Sequence, residues 1–97
     1  MSVATLTRPR ESLATAELSR RVSSTTGKPC DGRDPDDYFP LDATSTSHAR
    51  QLALVSVAAD LCAGCPVIVE CDRLAVERGD RHAIAGGRTP WQRAGRL

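Results

Sequence analysis

Four cysteines, at positions 30, 62, 65 and 71, set the terms on which this chain can fold. Three of them fall within ten residues in the spacing C-x2-C-x5-C, and the fourth stands thirty-two positions before Cys62. A chain of 97 residues makes one small domain. A domain of that size buries only about 60% of the surface its unfolded chain exposes, and here the side chains available for burial are few. Leu, Ile, Val and Phe together number 19, while Ala alone supplies 13 of the apolar residues. A metal or disulfide staple is the expected remedy for so thin a core. The same poverty argues against a large enzyme with its own deep cleft, and no apolar run approaches the roughly 20 residues of a membrane-spanning helix.

Charge is segregated behind a formal net of +1. Residues 1–29 carry a net +3, residues 30–80 a net −6 and residues 81–97 a net +4 with no acid at all. Basic ends of this kind meet phosphate or an acidic surface, or are simply solvated. Twelve of the thirteen basic residues are Arg and only Lys28 is not, a bias that base composition of the gene would equally produce.

The first segment, residues 1–27, reads as an N-terminal extension that is disordered or partly helical. Its Ser, Thr, Ala and Arg lack the apolar stretch of a secretory signal, and Glu11 and Glu17 count against a mitochondrial transit peptide. A short amphipathic helix from about Pro9 to Val22 would put Leu13, Leu18 and Val22 loosely on one face. Order is expected to begin near Cys30. The absent signal favours the cytoplasm, where four Cys read as metal ligands before disulfides.

The loop from Cys30 to Pro40 is dense in turn formers and acids, and its prolines oppose helix and central strand. Tyr38 and Phe39, two of only three aromatics in the chain, either anchor this loop or face a partner. A helix is predicted from about Ser47 to Leu61, capped by Ser45, Thr46 or Ser47, with Leu52, Val55 and Ala59 on one face and Leu54, Val57 and Leu61 widening it. It runs into Cys62-Ala-Gly-Cys65-Pro66, and Pro66 is placed to open a second helix that ends at about Arg78 before Gly79. On that helix Val67, Cys71, Leu74 and Arg78 share a face. No stretch alternates convincingly enough for a strand, so the fold class is all-α.

Cys62, Cys65 and Cys71 therefore meet at the helix junction, and Cys30 can reach them from its loop. Zinc and an iron-sulfur cluster both use four Cys, and the spacing alone leaves the two open. Zinc sites commonly present two close pairs, whereas here one Cys joins three; His48 or His82 could replace a ligand, although a solvent-facing side chain is the favoured reading of both. Disulfides and a redox dithiol at Cys62 and Cys65 are further readings, although the dithiol would normally accompany a strand-helix-strand unit.

The order Cys30, then Asp34-Pro-Asp36-Asp-Tyr38-Phe39-Pro40, then Cys62-x2-Cys65-Pro66-Val67 with Cys71, then Gly86-Gly87 and an Arg-bearing tail, resembles the WhiB-like regulators of actinobacteria and their phages. The likeness spans about residues 28–96. It implies a small helical domain, residues 28–87, organised around a 4Fe-4S cluster held by Cys30, Cys62, Cys65 and Cys71 and responsive to oxygen or nitric oxide. It further implies action on transcription through region 4 of the principal sigma factor, with Tyr38, Phe39, Gly86 and Gly87 facing the partner. The basic tail, residues 88–97, would touch DNA through Arg88, Arg93 and Arg96. The family's glycine turn usually reads Gly-(Val or Ile)-Trp-Gly-Gly, and this chain has Ala83-Ile84-Ala85-Gly86-Gly87. Ala85 thus stands where the family carries a principal sigma contact, and aromatic hot spots contribute about 2 kcal/mol or more. A Trp usual before the first cysteine is missing too, the residues there being Gly27, Lys28 and Pro29. Trp91 lies instead in the basic segment, where it either packs locally or faces DNA.

Were Arg81, Arg88, Arg93 and Arg96 all to reach phosphates, the salt slope would be about −3.6, enough for weak nonspecific binding. The expected activity is that of a redox- or nitric-oxide-responsive regulator and not an enzyme. The alternatives are a disulfide reductase using Cys62 and Cys65 in the cluster-free form, and a zinc-stapled adaptor.

Overall fold

The computed structural model describes residues 12–97. Four helices appear in it: α1 (Leu13–Ser24), α2 (His48–Leu61), α3 (Ile68–Glu77) and the short α4 (Pro90–Arg93). Two 3-10 turns, Pro35–Tyr38 and Leu41–Thr44, occupy the acidic loop between α1 and α2. The architecture is all-α; among the described residues the sole β feature is an isolated bridge between Ala85 and Arg88.

Local chemistry explains most of the boundaries. Ser47 caps α2, its hydroxyl accepting from the Arg50 amide at 3.4 Å. Cys62 ends that helix, and Gly64 turns the chain with φ +76°. The second long helix begins two residues later than Pro66 suggests. Val67 has φ −120° and ψ 32°, outside the helical region, because the Ile68 amide closes a turn onto the Cys65 carbonyl at 3.3 Å. Gly79, with φ +63°, follows the last turn of α3 as expected. Asp34 caps the first 3-10 turn through the Asp36 amide at 3.0 Å, with Pro35 in its first position.

The helix α1 lies ahead of the point where the sequence places the start of the folded chain. It packs against α3, with Thr15 buried and Leu18, Ser19 and Val22 half-buried along one side. Leu13 is fully in solvent, so the anticipated stripe is displaced; the part of that expected helix before residue 12 lies outside the described residues. On α2 the stripe also moves. The buried residues are Gln51, Leu54 and Ala58, while Leu52 and Val57 are exposed. The 3-10 turn Leu41–Thr44 is the cause: it lies on α2, and the Gln51 side chain donates to the carbonyls of Asp42, Ala43 and Ser45 at 3.2, 3.2 and 2.8 Å.

The core is as thin as the composition requires. Four of its ten buried apolar residues are Ala, and Tyr38, Ala58, Cys62 and Ile84 form its central cluster, with Leu61 and Ile68 against them. Among the described residues no helix is long and apolar enough to cross a membrane.

Candidate metal centre

Cys30, Cys62, Cys65 and Cys71 line one cavity of about 290 Å³. All four are free thiols. Its walls come from all three longer helices and two of the connecting segments: Val22 from the end of α1, Tyr38 and Phe39 from the acidic loop, Leu61 from α2, Ile68 from α3, and Ile84 to Gly86 from the segment after α3. Each thiol arrives by a different local device. Cys62 and Cys65 bracket the Gly64 turn, the Cys65 amide donating to the Cys62 carbonyl at 3.1 Å. Cys71 sits in the first turn of α3, where its amide bonds the Val67 carbonyl at 2.8 Å. Cys30 lies in a turn closed by the Asp31 amide on Lys28 and the Arg33 amide on Cys30, at 3.0 and 3.2 Å.

Tyr38 and Phe39 part company. Tyr38 is buried, its hydroxyl donating to the Leu61 carbonyl at 3.3 Å and its carbonyl accepting from the Ile84 amide at 2.7 Å. It anchors the loop across the cavity; Phe39 is 53% exposed at the rim. His48 and His82 face solvent, the reading the sequence favoured for both, and neither lines this cavity.

Gly86 and Gly87 close the site from the other side. Ala85 and Arg88 exchange backbone hydrogen bonds at 3.2 and 3.1 Å around them, and φ values of +60° and +74° have the signs of a type I′ turn. A Cβ on Gly86 would fall 2.3 to 2.5 Å from Asp72 atoms, and one on Gly87 would be 3.0 Å from the Ile68 side chain. The glycines are needed because the turn lies directly on α3. That approach aims two amides at sulfur: Gly86 N–H at Cys71 and Gly87 N–H at Cys62. Burial pushes both thiols up, the amides pull them down, and the net direction is upward. Both therefore hold their protons in the metal-free protein, and a thiophilic ligand must release them on binding.

Sequence reasoning assigned Gly86 and Gly87 to a partner and missed these amide-to-sulfur contacts; the signal available was the pair itself, since two adjacent positive φ angles mark a turn of close approach. The tail arginines also serve the fold. Arg88 pairs with Asp72 at 3.1 Å and donates to the Gln92 carbonyl at 2.9 Å. Arg93 donates to the carbonyls of Arg88, Asp80 and Ala83. The Thr89–Gln92 capping box and Pro90 start α4 between them. Arg96 is exposed, its guanidinium 4.0 Å from the Trp91 ring centroid, and Arg81 is exposed as well.

The class these features define is a small all-α protein with a thin core and a cavity lined by four free thiols, of which Cys62 is buried and Cys30 exposed. A family model described as transcription factor WhiB matches residues 25–95, and the chain belongs to that family. It is thus a transcription factor by membership. Comparison with curated proteins and with solved structures returned no match.

The donor set fits the cluster that the family resemblance implies. Four thiols line one largely apolar hollow, the ligand type and number that such a cluster takes.

Proposed function

We propose that this protein is a redox- or nitric-oxide-responsive transcription regulator whose sensor is a 4Fe-4S cluster on Cys30, Cys62, Cys65 and Cys71. The supporting observation is the single cavity that all four thiols share, with a volume of about 290 Å³. A hollow of that volume lined by four thiols has room for such a group, and four sulfur ligands are the set it takes. The cluster would supply redox-active, gas-reactive iron. The chain supplies the ligands, the apolar walls that limit solvent, and two amides directed at sulfur, a device that stabilises thiolate charge.

Loss of the group would free Cys30, whose loop has few other ties, and would change the face formed by the loop, Phe39 and the Gly86–Gly87 turn. That face is the one proposed to meet region 4 of a sigma factor in the cytoplasm, with the exposed arginines of the C-terminal segment near DNA. Ala85, half-buried beside that turn, stands where the family carries an aromatic contact, so affinity for the sigma region should be weaker than a Trp would give. A pull-down of sigma region 4 with the intact, cluster-loaded protein tests this arm; absence of binding moves the activity to DNA or another partner.

The disulfide reductase reading is less well supported. An attacking thiol works best with a pKa near ambient pH, and burial drives the Cys62 thiol the other way. Anaerobic purification decides the main point. About four irons and four acid-labile sulfides per chain are expected, with visible absorption. Stoichiometric zinc without sulfide, persisting after reconstitution, would sink the cluster and leave a zinc-stapled adaptor.

A further inference from the structure

Lys28 is the only lysine in the chain, and it is not on the surface where lysines normally sit. Its side chain is 12% exposed and lines the four-cysteine cavity. The ammonium donates to the Val22 carbonyl at the end of α1 and lies 3.9 Å from Asp31, a half-exposed carboxylate that is not part of the cavity wall. Arg33, itself exposed to solvent, also contributes to the lining. The adjoining loop carries Asp31, Asp34, Asp36 and Asp37, yet no carboxylate contributes to the lining. The lining thus takes one largely buried ammonium and one exposed guanidinium, and no carboxylate.

Burying an ammonium is costly unless an opposite charge answers it, and one carbonyl with one solvent-screened carboxylate answers it only in part. A four-thiolate iron-sulfur site carries net negative charge, which is what this wall complements. We infer that Lys28, assisted by Arg33, is the electrostatic positioning residue of the site, offsetting the charge of the loaded cavity and raising its reduction potential. The inference rests on the cluster reading above. Reduction adds an electron to the site, so a nearby positive charge favours the reduced form, and cluster potentials respond to local charge and solvent access.

The test is a dithionite titration, followed by visible and electron paramagnetic resonance spectra, of the anaerobically loaded wild type, Lys28→Gln and Lys28→Arg proteins. Gln keeps a donor for the Val22 carbonyl and removes the charge; Arg keeps the charge. At the wild-type midpoint the Gln protein should show about a tenfold lower reduced-to-oxidised ratio, equivalent to about 59 mV for a one-electron couple, and the Arg protein should stay near wild type. Equal midpoints for wild type and Lys28→Gln overturn the inference. Should Lys28→Gln fail to hold the cluster, Arg33→Gln decides: a lowered midpoint supports the charge role and an unchanged one overturns it. Iron and sulfide analysis of the same samples keeps the two claims apart, because a wild-type protein without sulfide defeats the cluster reading whatever the variants do.

Discussion

Alanine at position 86 would set its Cβ 2.4 Å from the Asp72 amide nitrogen and 2.5 Å from its Cα. Backbone atoms inside α3 cannot move aside as a flexible side chain would, and φ +60° is strained for any residue with a Cβ. Gly86→Ala should therefore cost about 2–5 kcal/mol, from about 1–2 of backbone strain plus about 1–3 of overpacking. Gly64→Ala has the strain, with φ +76°, but nothing within 4 Å, so it should cost only about 1 kcal/mol. Urea unfolding of the two variants measures the difference, and equal losses would mean that the turn does not lie on α3. Asp80 carries a second residue-scale effect. Burial works to raise its carboxyl, but the His82 and Ala83 amides, both 2.9 Å from one oxygen, and the Arg93 guanidinium outweigh it and hold the pKa below the ordinary value of 3.8. A carboxyl depressed in the folded state stabilises fully above its unfolded pKa and loses that contribution as pH falls through the folded one. Stability of the wild type should accordingly fall more steeply below about pH 4 than that of Asp80→Asn, which keeps the acceptor oxygen without the charge. Parallel urea midpoints for the two proteins between neutral pH and pH 3 would contradict this.

At the scale of elements, the joint between α2 and the 3-10 turn Leu41–Thr44 depends on Gln51. Its amide nitrogen reaches three carbonyls with two hydrogens, so at least one is shared, and its own oxygen is buried without a partner. Gln51→Met preserves length and strands the carbonyls. The expected loss is about 2 kcal/mol, which in a domain of this size lowers Tm by about 8–16 °C; a shift under a few degrees would show that water takes over the carbonyls. This joint also marks the limit of what sequence could tell. Ser47, Gly64 and Gly79 were legible because caps and turns depend on neighbours a few residues away. The stripe on α2 was not, because hydrophobic periodicity assumes that apolar residues face inward, and here a polar side chain is fully buried to bind a loop while Leu52 and Val57 face solvent. The intramolecular ties of the tail were hidden for a related reason. An Arg-rich segment reads as free positive charge, but Arg88 and Arg93 are occupied by carbonyls and Asp72, which no local pattern announces. That the four cysteines would meet was legible at any distance, from the spacing of three at one junction and the loop that carries Cys30.

Over the whole molecule the cavity is the point where otherwise weakly joined segments meet, and the ties that do not pass through it are unevenly spread. Residues 28–34 are held by Lys28 on Val22, by its contact with Asp31 and by short turn hydrogen bonds. Tyr38 keeps a bond to Leu61 and one from Ile84, the start of α2 keeps Gln51, and the C-terminal segment keeps Arg93 on three carbonyls. Ligand binding at a site that no unfolded chain preforms is folding free energy, so its removal should loosen the molecule in the order in which other ties are missing. Stripping iron with a chelator under anaerobic, reducing conditions should thus raise amide hydrogen exchange first over residues 28–34. The Cys62–Val67 junction and the Gly86–Gly87 turn, which lose the sulfur geometry that orders them, should follow. The Gln51 region of α2 and the Thr89–Arg93 segment should keep protection longest. Uniform loss of protection along the chain would mean that the ligand stabilises the fold only as a single cooperative unit. No change at residues 28–34 would detach Cys30 from the ligand set, and with it the release of the acidic loop on which the proposed signal depends.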